Sequence, residues 1–288
     1  MYYLRYYLRM IQICLYPGNN WNELVETMTT EMVKIVEWLR TNKLSLNLKK
    51  THFVLFRKHR GKVKLEKNLM VDNVKIEQAY ETKFLGVIID EYLLFKHHVN
   101  YVKGKVARGL GILYKTKRFL KTNSLLQLYN SFIYPYLNYC ITVWGNTWET
   151  YLLPLIKVQK RAMRVIKGAE RYDHTDPIYK ELSVLKIREI YVYSLQIMLY
   201  KFHHNLLPIV FKKFFTTNSD IHDYNTRQAN LMHVPLLKTK QALISIRKSG
   251  VHLYNHYYGV VGLNCSIITY KFHLKRHILL NGVSFMSD

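Results

Sequence analysis

The chain is poor in acidic residues and in the residues that break regular structure. Its 288 residues include 19 Asp and Glu against 43 Lys and Arg, with only 12 Gly and 6 Pro. So little Gly and Pro excludes collagen-like and low-complexity classes, and 49% hydrophobic residues exclude a mainly disordered chain. The net charge of +24 predicts a polyanionic partner, either a phosphate backbone or an anionic membrane surface.

Cysteine and long apolar runs are also scarce. Cys14, Cys140 and Cys265 are too few for a disulfide framework and too far apart for a Cys-x-x-Cys metal site, which favours a reducing compartment. No run of 18 uncharged apolar residues occurs, and no small-residue cleavage site follows the first 16 residues. We therefore expect no membrane span, no secretion, and an intracellular location, either cytoplasmic or nuclear.

The first third of the chain reads as one helix followed by short strands. Residues 21–42 carry apolar side chains at helical spacing, and we expect this stripe to be core. Asn20 or Asn22 can cap its start, and Asn42 lies where a left-handed stop is tolerated. The strands are predicted at residues 53–56, 69–71, 74–77 and 84–90, with a turn at Asp72-Asn73 and a bulge allowed by Gly86 in the last strand.

From residue 93 the pattern becomes helical. Helices are predicted at residues 93–119, 122–145, 149–169, 177–183 and 186–205, and short ones at 245–255 and 270–280. The fold class is therefore α+β: a small antiparallel sheet with a packed helix, followed by a mostly helical region.

Basic residues are concentrated in this helical region. Between residues 103 and 167 there are twelve, against the single acidic residue Glu149. Eight of them, on two predicted helices, are candidates for non-specific contact with a duplex or RNA/DNA hybrid backbone: Lys103, Lys105, Arg108, Lys157, Lys160, Arg161, Arg164 and Lys167. The alternative interpretation is an ordinary solvated surface.

Sites for metals and small molecules are not predicted. The adjacent pairs His97-His98 and His203-His204 do not share a helix face, so surface histidines are expected. Gly109-Leu110-Gly111 lacks both a third glycine and a preceding strand, and no Walker-type or Gly-x-Ser-x-Gly sequence occurs.

Several short blocks occur in a characteristic order along the chain: Asn42-Lys43-Leu44-Ser45-Leu46-Asn47 with Lys50-Thr51, Lys83-Phe84-Leu85-Gly86-Val87-Ile88-Ile89-Asp90, Trp144-Gly145, Gln159-Lys160-Arg161-Ala162, and Tyr224-Asn225-Thr226-Arg227. Taken together, these blocks resemble the C-terminal part of a jockey-like non-LTR retrotransposon reverse transcriptase. The resemblance implies an aberrant segment at 1–18, a remnant palm at 19–92, a thumb-like basic region at 93–205 and a post-thumb region at 206–288.

The resemblance also implies roles for four residues. Lys50 matches the lysine of the fourth palm motif, which lies near the leaving pyrophosphate, and the alternative is a solvated turn residue. Phe84, Leu85 and Gly86 match the primer grip, a hairpin that holds the primer end. For Leu85 the alternative of core packing in an ordinary buried strand is favoured.

One essential part of such a polymerase is missing. Nucleotide transfer uses two Mg²⁺ ions held by aspartates, yet the chain has no Asp-Asp pair and its first aspartate is Asp72. Read in a shifted frame, residues 7–14 can encode the missing Ala-Asp-Asp box, which suggests a frameshifted, truncated copy. We therefore expect a truncated reverse transcriptase without a cofactor of its own, inactive alone but able to bind nucleic acid. The alternatives are a non-enzymatic basic nucleic-acid-binding module or a non-functional translated remnant.

Overall fold

A computed structural model describes residues 20–57, 68–221, 227–237, 242, 245–258 and 262–283. The chain divides into two compact units, the first comprising residues up to 82 together with 90–92, the second residues 83–89 and those from 93 onward. The predicted aberrant segment 1–18 and residues 224–226 of the Tyr-Asn-Thr-Arg block lie outside the described residues.

The first unit is organised around one long helix, α1, at Trp21–Thr41. The side chain of Asn20 caps it by accepting a hydrogen bond from the backbone N–H of Asn22 at 3.0 Å. The left-handed residue beyond its end is Lys43, with φ of 58°, so the prediction for Asn42 was wrong. Asn42 instead continues the helical turn, because its backbone and side-chain amides both donate to the carbonyl of Trp38.

Six short strands follow. They are β1 at His52–Phe53, β2 at Met70–Val71, β3 at Val74–Lys75, β4 at Glu77–Gln78, β5 at Glu81–Phe84 and β6 at Val87–Asp90. Within the described ranges they form three two-stranded sheets: β1 with β4 in parallel, β2 with β3 antiparallel, and β5 with β6. The predicted α+β class is confirmed, although the strands do not join into one sheet. The core of the first unit lies between α1 and residues 69–76, and its buried members are Val25, Val36, Leu69, Val71 and Ile76.

Two turns in this part have both central residues in the left-handed region. Asp72 and Asn73, with φ of 49° and 62°, join β2 to β3 as predicted, because Asx residues tolerate the type I′ geometry that matches strand twist. Leu85 and Gly86, with φ of 43° and 86°, join β5 to β6. The prediction of one bulged strand over 84–90 was therefore wrong: the chain reverses at Leu85-Gly86 to form a hairpin.

The second unit is helical. Its first seven helices are α2 at Lys96–Thr116, α3 at Thr122–Phe132, α4 at Tyr134–Asn138, α5 at Ile141–Trp144, α6 at Glu149–Lys167, α7 at Asp176–Glu181 and α8 at Ile187–His203. In the described C-terminal ranges, α9 at Val251–Tyr257 and α10 at Ile267–Asn281 follow, and a π-helical turn at Ile246–Gly250 leads into α9. Most of the predicted helices are confirmed with ends shifted by a few residues. None of the helices in the described ranges has the length and apolar character that crossing a bilayer requires.

The predicted helix at 122–145 is three helices instead of one. Pro135 lies in the first turn of α4, where it has no N–H to give to a continuing helix and its ring clashes with the preceding turn. Cys140, with φ of 49°, then separates α4 from α5. These two breaks turn the chain so that Leu137, Ile141 and Trp144 are all fully buried.

The core of the second unit includes a polar residue at its centre. Gln159 on α6 is 1% exposed, and its amide nitrogen donates to the Tyr129 hydroxyl and to the Leu185 carbonyl, each at 3.0 Å. Its amide oxygen accepts from the backbone N–H of Ile187 at 3.1 Å. One buried side chain therefore joins α6 to α3 and to the start of α8, with its hydrogen-bonding groups satisfied.

Gly109, the first glycine of the pair at 109 and 111, has a packing explanation. A Cβ on Gly109 would lie 2.7 Å from Cγ1 of Ile133 and 3.0 Å from the Phe132 carbonyl oxygen. Gly109 therefore lets α2 approach the end of α3 closely.

Candidate functional site

The turn of the β5–β6 hairpin is fixed to the helical unit by one tyrosine. The hydroxyl of Tyr139, just beyond α4, donates to the carbonyl oxygen of Leu85 at 2.6 Å. A Cβ on Gly86 would lie 3.3 Å from the Tyr139 ring, so the absence of a side chain at Gly86 permits this close approach. Leu85 is 60% exposed, which contradicts core packing for this residue, and Gly86 is exposed while Phe84 is half-buried.

A buried histidine is hydrogen-bonded to the β5–β6 hairpin. His98 is 2% exposed, its Nδ1 accepts a hydrogen bond from the backbone N–H of Ile88 at 3.2 Å, and its ring meets Trp144 edge-on. Burial, helped by the charge of Lys83, lowers the pKa of His98 to about 4, so the ring is neutral at pH 7. The prediction of a surface histidine was wrong here because the side chain lies on the apolar face of α2 beside Val99 and Val102.

Two lysines converge on one tyrosine next to this hairpin. The ammonium of Lys83 lies 4.9 Å from the ring centre of Tyr101, and that of Lys105 lies 5.4 Å from the same ring and 5.9 Å from that of Tyr136. We name Lys83, Tyr101, Lys105 and Tyr136 the lysine–tyrosine cluster. Desolvation alone would raise the pKa of Tyr101, but the charges of Lys105 and Lys83 outweigh it and lower that pKa.

No carboxylate neutralises this cluster in the part of the chain that the structure describes. Salt bridges there involve other basic residues, among them Arg40, Arg57, Lys167 and Lys186. Cation–π contacts attract each ammonium to the rings, but a neutral ring does not cancel the charge of either lysine. An anion bound beside Lys83 and Lys105 would supply that negative charge.

The sequence pointed to only part of this site. Lys105 was predicted, and the pair Tyr101 and Lys105 has the i, i+4 spacing of one helix face, so Tyr101 could also have been found. The contributions of Lys83 and Tyr139 to the site could not have been found in this way, because their contacts depend on the hairpin turn at Leu85-Gly86.

Some of the other predicted basic residues form hydrogen bonds or ion pairs, and others are exposed or half-buried. On α6, Arg164 donates to the carbonyl of Asp173 at 3.0 and 2.8 Å, and Lys167 pairs with Glu181. Lys157 and Arg161 are exposed, and Lys160 is half-buried. On α2, Arg108 is exposed and Lys103 is half-buried. Two of the five predicted cations of α6, Lys157 and Arg161, are therefore open to solvent.

Lys50 lies in the first unit, away from any acidic cluster. It ends a 3₁₀ turn at Leu48–Lys50, and its side chain is exposed. Its carbonyl lies 3.3 Å from Nδ1 of His52. The role that the resemblance implies for Lys50 remains a prediction.

The described residues do not fit the pair of Mg²⁺ ions that the resemblance implies. The adjacent carboxylates of Asp90 and Glu91 accept hydrogen bonds from other groups. Glu91 is 7% exposed and accepts from Nε of Arg57 at 2.9 Å. Asp90 accepts from the backbone N–H of Tyr92 at 3.1 Å. Within the described ranges, no group of three His, Cys, Asp or Glu side chains is placed to hold a metal ion.

Two open cavities lie elsewhere. One, of about 580 Å³, follows α10 and is lined in part by His273, Arg276 and His277. The other, of about 690 Å³, lies beside α1 and is lined in part by Thr29 and Met70. The expected absence of a small-molecule site remains a prediction.

Comparison with known proteins identifies relatives of one kind. The chain is 23% identical over 155 residues to the Probable RNA-directed DNA polymerase from transposon X-element of Drosophila melanogaster, covering 52% of this chain and 17% of that protein. It is 29% identical over 115 residues to the RNA-directed DNA polymerase from mobile element jockey of Drosophila funebris, covering 39% and 13%. The corresponding jockey protein of Drosophila melanogaster is 28% identical over 158 residues, covering 52% and 16%.

These matches confirm the resemblance found in the sequence. The homologues of the chain are RNA-directed DNA polymerases of jockey and X-element non-LTR retrotransposons, matched over at most about half of this chain and about a sixth of their own length. No protein-family model matches the chain, and no solved structure matches it.

Proposed function

We propose that this chain is part of a retrotransposon RNA-directed DNA polymerase that holds the backbone of a nucleic acid duplex or RNA/DNA hybrid and transfers no nucleotides by itself. The observation that carries the proposal is the lysine–tyrosine cluster, where two ammonium groups share one phenol ring. A backbone phosphate is the anion that nucleic acid offers, and binding it there releases counterions from the polymer.

The β5–β6 turn supports the same function. Leu85 and Gly86 are exposed, and the Tyr139 hydroxyl fixes the Leu85 carbonyl, so the turn is a rigid backbone feature within the same unit as Lys83 and Lys105. The resemblance assigns Phe84, Leu85 and Gly86 to the primer grip. We propose that this turn contacts the sugar–phosphate backbone while the cluster binds one phosphate.

Binding without sequence readout follows from the kind of residues involved. Lysine offers a point charge on a flexible stem, which suits phosphate but does not match a base edge the way a bidentate arginine does. The remaining open cations Arg108, Lys157, Lys160 and Arg161 extend the positive surface. We therefore propose that affinity depends strongly on salt and only weakly on sequence.

The proposed lack of nucleotidyl transfer rests on the acidic residues. A two-metal centre needs carboxylates gathered around both ions, and Glu91 is instead paired with Arg57. Without that centre, Lys50 has no developing pyrophosphate charge to neutralise. Phosphoryl transfer would then require a separate polypeptide or segment that supplies the aspartates.

Salt-dependent binding tests the cluster directly. We expect the double variant Lys83→Gln/Lys105→Gln to bind a short RNA/DNA hybrid more weakly and to reduce the slope of log affinity against log salt by roughly one, because one phosphate contact is lost. Lys180→Gln, on the exposed face of α7 in the same unit, is the matched control and should leave the slope unchanged. An unchanged slope in the double variant would contradict the assignment.

Primer extension tests the proposal that the chain transfers no nucleotides by itself. With a primed RNA template and Mg²⁺ or Mn²⁺, the purified chain should incorporate no deoxynucleotides above a no-protein control. Incorporation that Asp90→Asn abolishes would show that a catalytic carboxylate is present after all.

A further inference from the structure

The turn between α2 and α3 presents an aromatic side chain to solvent. Phe119 is 84% exposed, and the next residue, Leu120, is 37% exposed. The turn is nonetheless ordered, because the backbone amides of Phe119 and Leu120 donate to the carbonyl of Thr116 at 3.0 and 3.1 Å. The ring is therefore held outward by the backbone and is not packed against the unit that carries it.

Basic residues flank Phe119 in the sequence of this turn. Lys117, Arg118 and Lys121 are all exposed, and none of the salt bridges within the described ranges involves them. Tyr114, one turn earlier on α2, is 48% exposed, and the ammonium of Lys117 lies 5.5 Å from its ring centre. We name Tyr114, Lys117, Arg118, Phe119 and Lys121 the aromatic–basic turn.

Helix electrostatics account for only some of these charges. Lys117 follows the C-terminal end of α2, where a cation is favourable. Lys121 is the N-cap of α3, where the helix dipole disfavours a cation, and it offers no side-chain acceptor for the exposed backbone amides. Its charge therefore does not serve the local fold, and neither does the exposed ring of Phe119.

We propose that the aromatic–basic turn binds unpaired nucleotides, with a base stacked on Phe119 and the flanking phosphates at Lys117, Arg118 and Lys121. Aromatic rings set among cations are the usual platform for single-stranded nucleic acid, since every base has a face to stack and every linkage has a phosphate. Bases inside a duplex do not offer that face. This inference rests on the proposed function, and it adds that the bound polymer has a single-stranded part.

An anionic membrane is the competing partner for such a turn. Interfacial anchors bury a broad apolar face, whereas this turn offers the largely exposed ring of Phe119, the half-exposed ring of Tyr114 and one partly exposed leucine. The number of cations relative to apolar surface thus favours a nucleic acid strand.

The test compares a blunt duplex with the same duplex carrying a single-stranded extension of about six nucleotides. We expect the full chain to bind the extended substrate roughly tenfold more tightly. Phe119→Leu keeps the apolar volume but removes the stacking face, and should abolish that preference while leaving affinity for the blunt duplex unchanged. Phe119→Trp should retain it.

The matched control is another exposed aromatic residue in an acidic setting. Tyr80 is 65% exposed and lies beside Glu81, so Tyr80→Leu should leave the preference intact. Circular dichroism of each variant should be unchanged, because both side chains are exposed.

The outcomes separate this inference from the proposed function. Equal binding to both substrates, or a preference that survives in Phe119→Leu, overturns the inference while the proposed function stands. No binding to either substrate overturns both. Binding to vesicles of anionic phospholipid that Phe119→Leu abolishes, without any preference for the extension, replaces the strand with a membrane surface. If the preference needs Phe119 but Lys83→Gln/Lys105→Gln does not change the salt slope, strand binding at the aromatic–basic turn is supported and phosphate binding at the lysine–tyrosine cluster is contradicted.

Discussion

The two units of the chain are stabilised in different ways. The first has a small aliphatic core under α1, and its strands are two to four residues long. The second buries large aromatic side chains, including Trp144, Tyr129 and Tyr191, in one continuous helical core. Small cores leave little margin over chain entropy, whereas a large helical core tolerates surface substitutions. The residues proposed to bind nucleic acid lie on the better-packed unit, so they can be changed without unfolding it.

The largest expected effect comes from removing the central aromatic residue of the second unit. Trp144 is fully buried, and its Nε1 donates to the Tyr139 carbonyl at 2.9 Å. Trp144→Ala should lower the free energy of unfolding by about 3–5 kcal/mol, because it leaves a cavity and an unpaired carbonyl. The comparison variant is Trp38→Ala in the first unit, where the side chain is 52% exposed and the change should stay within about 0.5 kcal/mol. Urea titration followed by circular dichroism would measure both, and similar losses would remove the contrast between the units.

The next effect is a dependence on pH confined to the second unit. The folded pKa of His98, about 4, lies below the ordinary value of 6.5, so the unfolded chain binds more protons between these values. Stability from this residue is complete above pH 6.5 and is lost as the pH falls towards 4, by at most about 3 kcal/mol. His98→Gln should remove this component while offering Ile88 an acceptor. Urea titrations of both proteins from pH 7 to 4 would test it, and parallel curves would contradict it.

Two glycines of α2 should respond to alanine with opposite signs. Gly109→Ala places a methyl group 2.7 Å from Ile133 and should destabilise by about 1–3 kcal/mol. Gly104 has no atom within 4 Å of its Cβ position, so Gly104→Ala should stabilise the helix by up to about 1 kcal/mol. Thermal unfolding of the two variants would give shifts in opposite directions, and the same sign for both would show that α2 and α3 are not closely packed there.

The smallest effect is expected at the surface of the first unit. Arg40 pairs with Asp72 at 2.9 Å, but both side chains are well exposed. Arg40→Ala should cost less than about 1 kcal/mol and become neutral at high salt. A double-mutant cycle with Asp72→Asn, which keeps a residue that tolerates the left-handed turn, would isolate the pair. A larger coupling would mean that this unit depends on its polar contacts.

Helices were predictable from the sequence because their signal is local and repeated. The apolar stripes of α1, α2 and α6 alternate with polar faces over several turns. The interruption between α3 and α5 was not predicted, because the apolar residues continue through Pro135 and Cys140 and conceal the two breaks. The hairpin at residues 84–90 was missed for a related reason: a leucine rarely adopts positive φ, and here the Tyr139 hydroxyl, distant in sequence, holds that conformation.

The site was predictable where charge alone identifies it. Lys105 was found among the basic residues, whereas Lys83 and Tyr101 are brought together by tertiary contacts between the hairpin and α2. His98 was predicted to be a surface residue because adjacent histidines do not share a helix face and could not bind one metal ion together, but in the structure His97 is exposed and His98 is buried. Adjacent side chains of a helix point about 100° apart, so one of these two faces the core and the other faces solvent.

The phenol of Tyr101, which both lysines of the cluster contact, gives the protein an intrinsic spectroscopic probe of ligand binding. Burial raises the pKa of Tyr134, Tyr193 and Tyr257 in the same unit, whereas that of Tyr101 is lowered. In an alkaline spectrophotometric titration Tyr101 should therefore form phenolate before those residues do. A ligand with negative charge that settles beside it would delay that ionisation, and the ultraviolet difference spectrum would reveal occupancy without any label.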